Sequence, residues 1–551
     1  YLAHSKNQLS QPYQELRFKG VGEDYPSGQN VVASTWMSGR RRGLLSNVVV
    51  GTVDQVLMMA LRQRYSMLRH VALAGKIIIF DEVHAYDTYT SDYLETTLEW
   101  LAHYGATVIM MSATLPPERR NALVKSYTGQ TIAQPSDAYP LITVASQSGQ
   151  RSVAPEASPT NLAATIEVVE GSLEELEERI GALLIDGGVI LIICNTIARA
   201  QETYQTLASA YPGEVELHHA GFMAWERSEK EDRLRAELGP DAHRGTGRPH
   251  RKIVVATQVA EQSLDIDADV LFTDIAPMDL VIQRIGRLHR HNRPETDRPE
   301  QLREPKVFVR GIEALNPHPV LNSGAEAIYG SKILLSTILH LPETFKRPDD
   351  VAALVRSVYA AEQDVPAEWA EEWAKAQVAE DARVEAAHGR SRSFRLKSPD
   401  VCRELGDLFG DLQQATLTLG DDEIGAAQVR DAEPAVEVIP ISGDEQEYVP
   451  LGTDWVITGN PELTYRQAFQ LASSTVRLPT RMTRYDSDFE DVVGALEAQT
   501  PTAWNKHYLL KGQLALPLND ENEAELGRFK VRYTSELGIE IVSDRHEDSV
   551  G

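Results

Sequence analysis

A run of apolar residues that ends in two adjacent carboxylates is the most constraining feature of this sequence. Residues 77–84 read Ile-Ile-Ile-Phe-Asp-Glu-Val-His, and the four apolar residues predict a buried strand of a parallel sheet. Ligands of open α/β sheets bind at the carboxyl ends of the strands. Asp81 and Glu82 lie at such an end and suit a hydrated magnesium ion on a nucleotide phosphate, with the second acid orienting water. The alternative is a strand capped by solvated acids.

Two further predicted strands end in small polar residues. Residues 47–50 predict a short buried strand, followed by Gly-Thr and a helix from Val53. Such a turn presents backbone N–H groups that bind phosphate, unless it is an ordinary strand-to-helix turn. Residues 107–111 predict another buried strand, followed by Ser112 and Thr114. Their hydroxyls either bond both Asp81/Glu82 of the neighbouring strand and the neighbouring domain, or simply cap the next helix.

Strands and helices alternate again between residues 172 and 274, which predicts a second doubly wound sheet. A basic helix is predicted to follow and to include residues 283–291. Arg284, Arg287 and Arg290 are three residues apart and would share one broad face of this helix. Like charges there reduce stability unless an anion such as a triphosphate meets them. The alternative is a solvated or nucleic-acid-facing basic helix.

Composition limits the classes of function. The net charge of −27 argues against a general nucleic-acid-binding surface, and two cysteines, Cys194 and Cys402, exclude a disulfide framework and fit a reducing cytoplasm. No apolar run is long enough to span a membrane, so no membrane partner is expected. Basic residues nevertheless cluster, which predicts either a basic channel in an acidic body or solvated loops and helix faces. These clusters are Arg40–Arg42, His243–Lys252, Arg284–Arg293, Arg390–Lys397 and Arg477–Arg484.

The polar segments occur in an order that resembles motifs II, III, V and VI of superfamily-two helicases. The matching segments are Asp81–His84, Ser112–Thr114, the segment ending Ser263-Leu264-Asp265, and Gln283–Arg290. Two more segments narrow the resemblance to the CRISPR-associated helicase–nuclease of type I interference systems. They are Gly51–Gln55 and His218–Phe222.

The resemblance implies an α/β fold with two RecA-like doubly wound parallel-sheet lobes. A helical linker and a small β-rich C-terminal domain follow them. The implied domains are a partial first lobe (1–135), the second lobe (136–330), the linker (331–423) and the C-terminal accessory domain (424–551).

The resemblance also implies roles for individual residues in ATP hydrolysis. Asp81 would help to hold Mg²⁺ on ATP, Glu82 would orient or deprotonate the attacking water, and Asp265 would hold the cleft closed on the nucleotide. The residues that reach the nucleotide from the second lobe would be Gln283, with Arg287 and Arg290 as arginine fingers.

Other residues would connect hydrolysis to movement along DNA. The residues implied to couple the two processes are His84, Ser112 and Thr114. The residues implied to contact the backbone of one DNA strand are Gly51, Thr52, Thr257 and Gln258. Backbone contacts require no base readout, which suits a motor that moves on any sequence.

The chain departs from the family pattern in two ways. It contains no Gly-x-x-x-x-Gly-Lys-Ser/Thr phosphate loop and no paired histidine–aspartate cluster, which in the family binds the nuclease metals. We therefore expect a truncated chain whose partners include the missing N-terminal half of the same protein, and which alone binds ATP poorly and does not cut DNA. The implied whole would translocate on single-stranded DNA after recruitment by an RNA-guided, Cascade-type surveillance complex.

Two other hypotheses remain open from the sequence. The first is an RNA helicase of the Asp-Glu-x-His kind. The second, because the phosphate loop is absent, is a non-catalytic fragment that binds DNA or a protein partner.

Overall fold

The structure, a computed structural model, describes residues 2–3, 42–62, 66–83, 87–157, 162–169, 172–262, 264–402, 404, 407, 429–431, 435–459 and 461–544. The chain forms two compact units. The first comprises Tyr1–Pro159, Val351–Ala360 and Gln377–Asp431, and the second comprises Thr160–Asp350, Ala361–Ala376 and Ala432–Gly551. The predicted domain boundaries remain predictions.

The strands and helices before residue 160 belong to the first unit. They are β1 (Leu2–Ala3), β2 (Val50–Gly51), α1 (Asp54–Leu57), α2 (Ser66–Leu73), β3 (Ile78–Phe80), α3 (Thr88–His103), β4 (Val108–Met110), α4 (Pro117–Thr128), β5 (Ile142–Ser146) and β6 (Gly149–Val153).

The next elements build the large sheet of the second unit. They are β7 (Leu162–Val168), α5 (Leu173–Leu183), β8 (Gly188–Ile193), α6 (Ile197–Ala210), β9 (Val215–His218), α7 (Ala224–Leu238), β10 (His243–Arg244), β11 (Gly247–Arg248), β12 (Arg251–Ala256), α8 (Val259–Gln262), β13 (Val270–Asp274), α9 (Met278–Ile285), β14 (Lys306–Arg310), β15 (Ile312–Ala314), β16 (Val320–Leu321), α10 (Ser323–Tyr329), α11 (Ser331–Leu339) and β17 (Thr344–Arg347).

The remaining elements are helical at first and then rich in strands. They are α12 (Val351–Tyr359), α13 (Ala370–Phe394), β18 (Glu437–Gly443), β19 (Glu447–Pro450), β20 (Ile457–Thr458), α14 (Tyr465–Ser473), β21 (Val476–Arg477), α15 (Asp486–Gln499), β22 (Leu514–Leu518), β23 (Glu523–Leu526), β24 (Phe529–Thr534) and β25 (Gly538–Asp544). None of the described helices combines the length and apolar character of a membrane span.

Strand β3 pairs in parallel with β4, as the sequence predicts, but only one of its faces is buried. Ile78 and Phe80 are packed in the core with residues of α3, whereas Ile77 and Ile79 are 68% and 60% exposed. Successive side chains of a strand point to opposite faces, so an apolar run alone does not show that both faces are covered. The prediction of a fully buried strand is therefore wrong for the described residues.

The prediction of a buried strand at residues 47–50 is also wrong. The strand found there is β2, which pairs in parallel with β1, and Val48 and Val50 are 74% and 66% exposed. Among the described residues β2 pairs only with β1, which is also two residues long.

The second unit contains a sheet in the order β17-β7-β14-β13-β8-β12-β9 across the described residues. All neighbouring pairs are parallel except β17 with β7. The sequence of β8 is apolar after its glycine, and all six of its residues are buried, which is typical of a central strand in a parallel sheet covered on both faces. Burial of each large aliphatic side chain stabilises the sheet by about 1.5–3 kcal/mol. The carboxyl ends of β8, β12 and β13 consequently lie side by side at one rigid edge.

The strand-rich C-terminal region packs within the second unit. Strand β18 pairs with β19, β21 and β22, and β23, β24 and β25 form an antiparallel meander. The Tyr533 hydroxyl of β24 accepts a hydrogen bond from the Met223 amide at 2.9 Å, and the Ile539 amide of β25 donates to Gly221 O at 2.9 Å. The meander therefore holds the segment between β9 and α7.

Candidate active site

Two exposed carboxylates follow β3 in the first unit. The Glu82 amide donates to Asp81 Oδ1 at 3.0 Å, and Glu82 has a φ of +55°, a left-handed conformation that non-glycine residues rarely adopt. Val83 returns to the core, where its amide donates to Met111 O at 3.1 Å. This turn projects both acids outward, and strained backbone of this kind clusters at functional sites.

The Ser112–Thr114 segment lies at the same edge as the acid pair, because β3 and β4 are parallel and Phe80 is in register with Met110. Ser112 Oγ donates to Thr114 O at 2.9 Å, and Thr114 is 2% exposed. Helix α4 has no side-chain hydrogen bond at its N-cap, Pro116. The alternative in which these hydroxyls cap the next helix is therefore wrong.

The acid pair has the donor chemistry that magnesium prefers, since carboxylate oxygens bind this hard cation. Asp81 is exposed, and none of the ion pairs of the described residues involves it. No group of three or more His, Cys, Asp and Glu side chains that could hold a metal by itself occurs among the described residues. His84 and Ser263 lie outside the described residues.

The predicted DNA-contacting residues lie at the ends of strands in each unit. In the first unit Gly51 ends β2 and is exposed, and Thr52 is half-buried. In the second unit Thr257 and Gln258 follow β12; the Thr257 amide donates to His218 O at 3.2 Å, and Gln258 Nε2 donates to Asn195 O at 2.8 Å. Asn195 follows the neighbouring strand β8.

Arg284 is fully buried and does not face a triphosphate, which corrects the prediction from its spacing. Its guanidinium donates to Glu261 Oε1 at 2.7 Å. It also donates to Thr273 Oγ1 and Asp274 O at 2.8 Å each, and to Asn195 Oδ1 and the Tyr329 hydroxyl at 3.2 Å each. Burial lowers the pKa of Arg284, but the Glu261 carboxylate outweighs it and the pKa is raised. Arg284 therefore joins the ends of β8, β13, α8 and α10.

Helix α9 ends at Ile285 and does not continue through residue 291 as predicted. Instead, Leu288 pairs with Ala268 as a β-bridge. The Ala268 amide donates to Arg287 O, and the His289 amide donates to Ala268 O, each at 3.0 Å. These backbone bonds compete with helical bonds and draw the chain out of the helix. The three arginines consequently do not share a helix face.

Arg287 and Arg290 are held differently after the helix ends. Arg287 is 8% exposed and donates from Nε to Ala260 O at 3.1 Å and from its terminal nitrogen to Glu261 O. Arg290 has a 38% exposed side chain and donates to Asp265 Oδ1 at 2.5 Å. Burial opposes the charge of Asp265, but Arg290 outweighs it and lowers the pKa of this half-exposed carboxyl. Gln283 is half-buried on α9.

A buried ionic network, which the sequence analysis missed, supports this segment. Asp267 and Asp269 are fully buried and bind three arginines. Asp267 Oδ1 accepts from the Arg290 amide at 2.8 Å, and Asp269 Oδ2 accepts from the Val189 amide at 2.8 Å. The arginines of the network are Arg248, Arg293 and Arg298. Arg248 and Arg293, which belong to two of the predicted basic clusters, therefore bind buried carboxylates and line neither a channel nor a solvated face.

The histidine pair at residues 218 and 219 is buried beside the C-terminal meander. The His219 ring stacks on Phe222 with centroids 4.5 Å apart, and its Nδ1 accepts from the Gly221 amide at 3.0 Å. Burial lowers the pKa of His219 to about 3. The folded protein therefore holds this imidazole neutral at pH 7.

His219 predicts a loss of stability in acid. Because its folded pKa lies below the unfolded value of about 6.5, its contribution is complete above about pH 6.5 and is lost as the pH falls towards 3. At pH 5 the loss should be about 2 kcal/mol. The measurement is the free energy of unfolding in urea at pH 7 and pH 5 for wild type and His219→Gln. The loss between the two pH values should be smaller in the variant. His103→Gln, at an exposed histidine, is the control and should retain the wild-type dependence.

Three family models match the chain. "DEAD/DEAH box helicase" matches residues 13–122, "CRISPR-associated nuclease/helicase Cas3, C-terminal" matches residues 186–293, and "Cas3 C-terminal domain" matches residues 430–539. The first two ranges contain the acid pair and the arginines of the second unit.

Individual proteins match over nearly the whole chain. The CRISPR-associated nuclease/helicase Cas3 of Streptococcus thermophilus is 34% identical over 98% of this chain and 59% of that protein. The CRISPR-associated endonuclease/helicase Cas3 of Thermus thermophilus is 31% identical over 94% of this chain and 59% of that protein. The crystal structure of T. fusca Cas3-ADP matches with a TM-score of 0.76 at 26% identity, over 94% of this chain and 60% of that chain. These matches confirm the predicted resemblance and fold class, and the chain spans about three fifths of these relatives.

Proposed function

The chain belongs to the Cas3 family of CRISPR-associated nuclease/helicases, and from this membership we propose that it is the ATP-driven, single-stranded DNA translocase portion of a type I interference helicase–nuclease. The observation that carries the proposal is the acid pair after β3. Asp81 and Glu82 are exposed at the carboxyl end of a parallel strand, and Glu82 is held in a left-handed conformation.

We assign the first steps of ATP hydrolysis to these acids. Asp81 would hold the magnesium ion of ATP with its carboxylate, and Glu82 would orient the attacking water and accept its proton. Magnesium, when bound with ATP, neutralises charge that develops on the phosphate oxygens. Ser112 and Thr114, at the same sheet edge, couple hydrolysis to DNA in this proposal, together with His84.

Residues of the second unit stabilise the transferred phosphate in this proposal. Gln283 faces the nucleotide, and Arg287 and Arg290 act as arginine fingers. Arg290 is the stronger candidate of the two arginines, because its side chain is partly exposed and can exchange Asp265 for a phosphate. Arg287 is buried and binds backbone carbonyls, so it must rotate before it can reach an anion.

We propose that Gly51, Thr52, Thr257 and Gln258 contact phosphates of one DNA strand. The support is their position at the end of strand β2 and directly after strand β12, and contacts to phosphates there would not depend on base identity. In the whole protein this motor would act in the cytoplasm after recruitment by an RNA-guided surveillance complex, and a nuclease domain with its own metals would cut the DNA.

The proposal is tested with the full-length gene product. ATP hydrolysis is measured with no nucleic acid and with single-stranded DNA, double-stranded DNA or RNA of matched length. We expect single-stranded DNA to give the highest rate. Equal or greater stimulation by RNA would favour the RNA helicase, and the absence of hydrolysis under all conditions would favour a non-catalytic binding module.

A further inference from the structure

A cavity of about 280 Å³ lies in the first unit beside the Ser112–Thr114 segment. Its walls are the start of α4, the loop at residues 136–141 and one face of α12. Leu115 and Val355 contribute apolar surface to these walls. The volume is close to the lower end of the range for small-molecule sites.

Three residues that line this cavity each carry a buried polar atom without a hydrogen-bond partner among the described residues. These atoms are Thr114 Oγ1, Arg120 Nε and Arg356 Nε. Thr114 is 98% buried, since its exposed fraction is 2%. A buried donor without an acceptor destabilises a fold, so native proteins leave few of them. Three such atoms on residues around one cavity indicate a place for an acceptor.

The charges around the cavity favour an anion. Arg120 donates to Ser136 O at 3.0 Å, and Arg356 pairs with Asp137 at 3.2 Å. Burial lowers the pKa of Arg120; the charge of Asp137 opposes this effect, and the charge of Arg356 adds to it. Asp137 is therefore the carboxylate that acts on both guanidiniums, but of the two only Arg356 pairs with it directly, and it is 71% exposed to solvent. An anion in the cavity would relieve the repulsion between the two arginines.

We propose that this cavity binds an oxyanion, a phosphate or carboxylate group carried on a small apolar body. The anion accepts hydrogen bonds from Arg120 Nε, Arg356 Nε and the Thr114 hydroxyl, and the apolar body contacts Leu115 and Val355. Charge-assisted hydrogen bonds of this kind are stronger than neutral ones. Thr114 is also a proposed coupling residue, so binding is measured without ATP and DNA, and its failure is distinct from a failure of the proposed motor activity.

Calorimetric titration of the chain with phenyl phosphate and with inorganic phosphate tests the proposal. We expect saturable binding at one site, tighter for phenyl phosphate because its ring contacts the apolar wall. Arg120→Gln and Arg356→Gln should each weaken binding about tenfold or more, because each removes a charged donor. Arg151→Gln, at an exposed arginine of β6 outside the cavity, is the matched control and should leave the affinity unchanged.

Thr114→Val keeps the test valid if an arginine variant fails to fold. This change removes the unsatisfied hydroxyl at nearly constant volume. Without an anion, the variant should therefore unfold at or above the wild-type temperature, and it should bind phenyl phosphate several-fold more weakly.

Competition with single-stranded oligothymidylate identifies the source of the oxyanion. Displacement that depends on Arg120 assigns it to a DNA phosphate, and no displacement assigns it to a free small molecule. No saturable binding, or equal affinity in every variant, would overturn the proposal.

Discussion

Glu82→Gln is expected to slow ATP hydrolysis by the full-length protein about a hundred- to ten-thousandfold, with little change in KM for ATP. Glutamine keeps the size and hydrogen-bonding groups of glutamate, but it cannot accept the proton of the attacking water. The backbone turn at Glu82 and its amide bond to Asp81 Oδ1 do not involve the Glu82 carboxylate, so they should survive the change. The loss should therefore fall on kcat.

The matched control for this prediction is Glu118→Gln in the first turn of α4, which changes the same chemical group in the same unit. It should retain wild-type hydrolysis. Steady-state rates over a range of ATP concentrations separate kcat from KM for both variants. A Glu82→Gln protein that hydrolyses ATP at the wild-type rate would contradict the assignment of Glu82 to water activation.

Local sequence signals predicted many of the regular elements around the site. The pattern predicts alternating strands and helices between residues 172 and 274, and in this region α6 begins where the Thr196 side chain caps its first turn. Ser172 caps α5 in the same way, accepting from the Glu175 amide at 3.4 Å. Such signals involve residues that are close together in the sequence, so they can be recognised from the sequence alone. Whether both faces of β3 are covered depends on distant segments, and the apolar run at residues 77–80 could not show this.

The arginines illustrate the same limit at the site. Spacing by three residues placed Arg284, Arg287 and Arg290 on one helix face, but the backbone pairing of Leu288 with Ala268 ends the helix first. The partner of Arg284, Glu261, is 23 residues away in sequence, and no local pattern connects them. Asn195 and Tyr329, which also bind Arg284, carried no recognisable motif signal. Residues in motifs were therefore found, whereas the residues that position them were not.

Arg284→Met is expected to destabilise the second unit by about 3–5 kcal/mol, the usual effect of breaking a buried ion pair from one side. The change leaves the Glu261 carboxylate buried without its cation, and it removes donors from Thr273, Asn195 and Tyr329. The free energy of unfolding in urea measures this loss. The double variant Arg284→Met/Glu261→Gln should recover part of it, because the buried charge is then removed with its partner.

Arg290→Met is the matched control, since it removes the same group from an ion pair that is partly exposed. Its effect on unfolding should be below about 1 kcal/mol, because solvent screens such pairs. If Arg290 is an arginine finger, the same change should slow ATP hydrolysis about a thousandfold or more. The change at Arg284 would thus mainly reduce stability, and the change at Arg290 would mainly reduce activity. An Arg284→Met protein as stable as wild type would contradict the buried pair, and an Arg290→Met protein with wild-type hydrolysis would leave Arg287 as the remaining candidate finger.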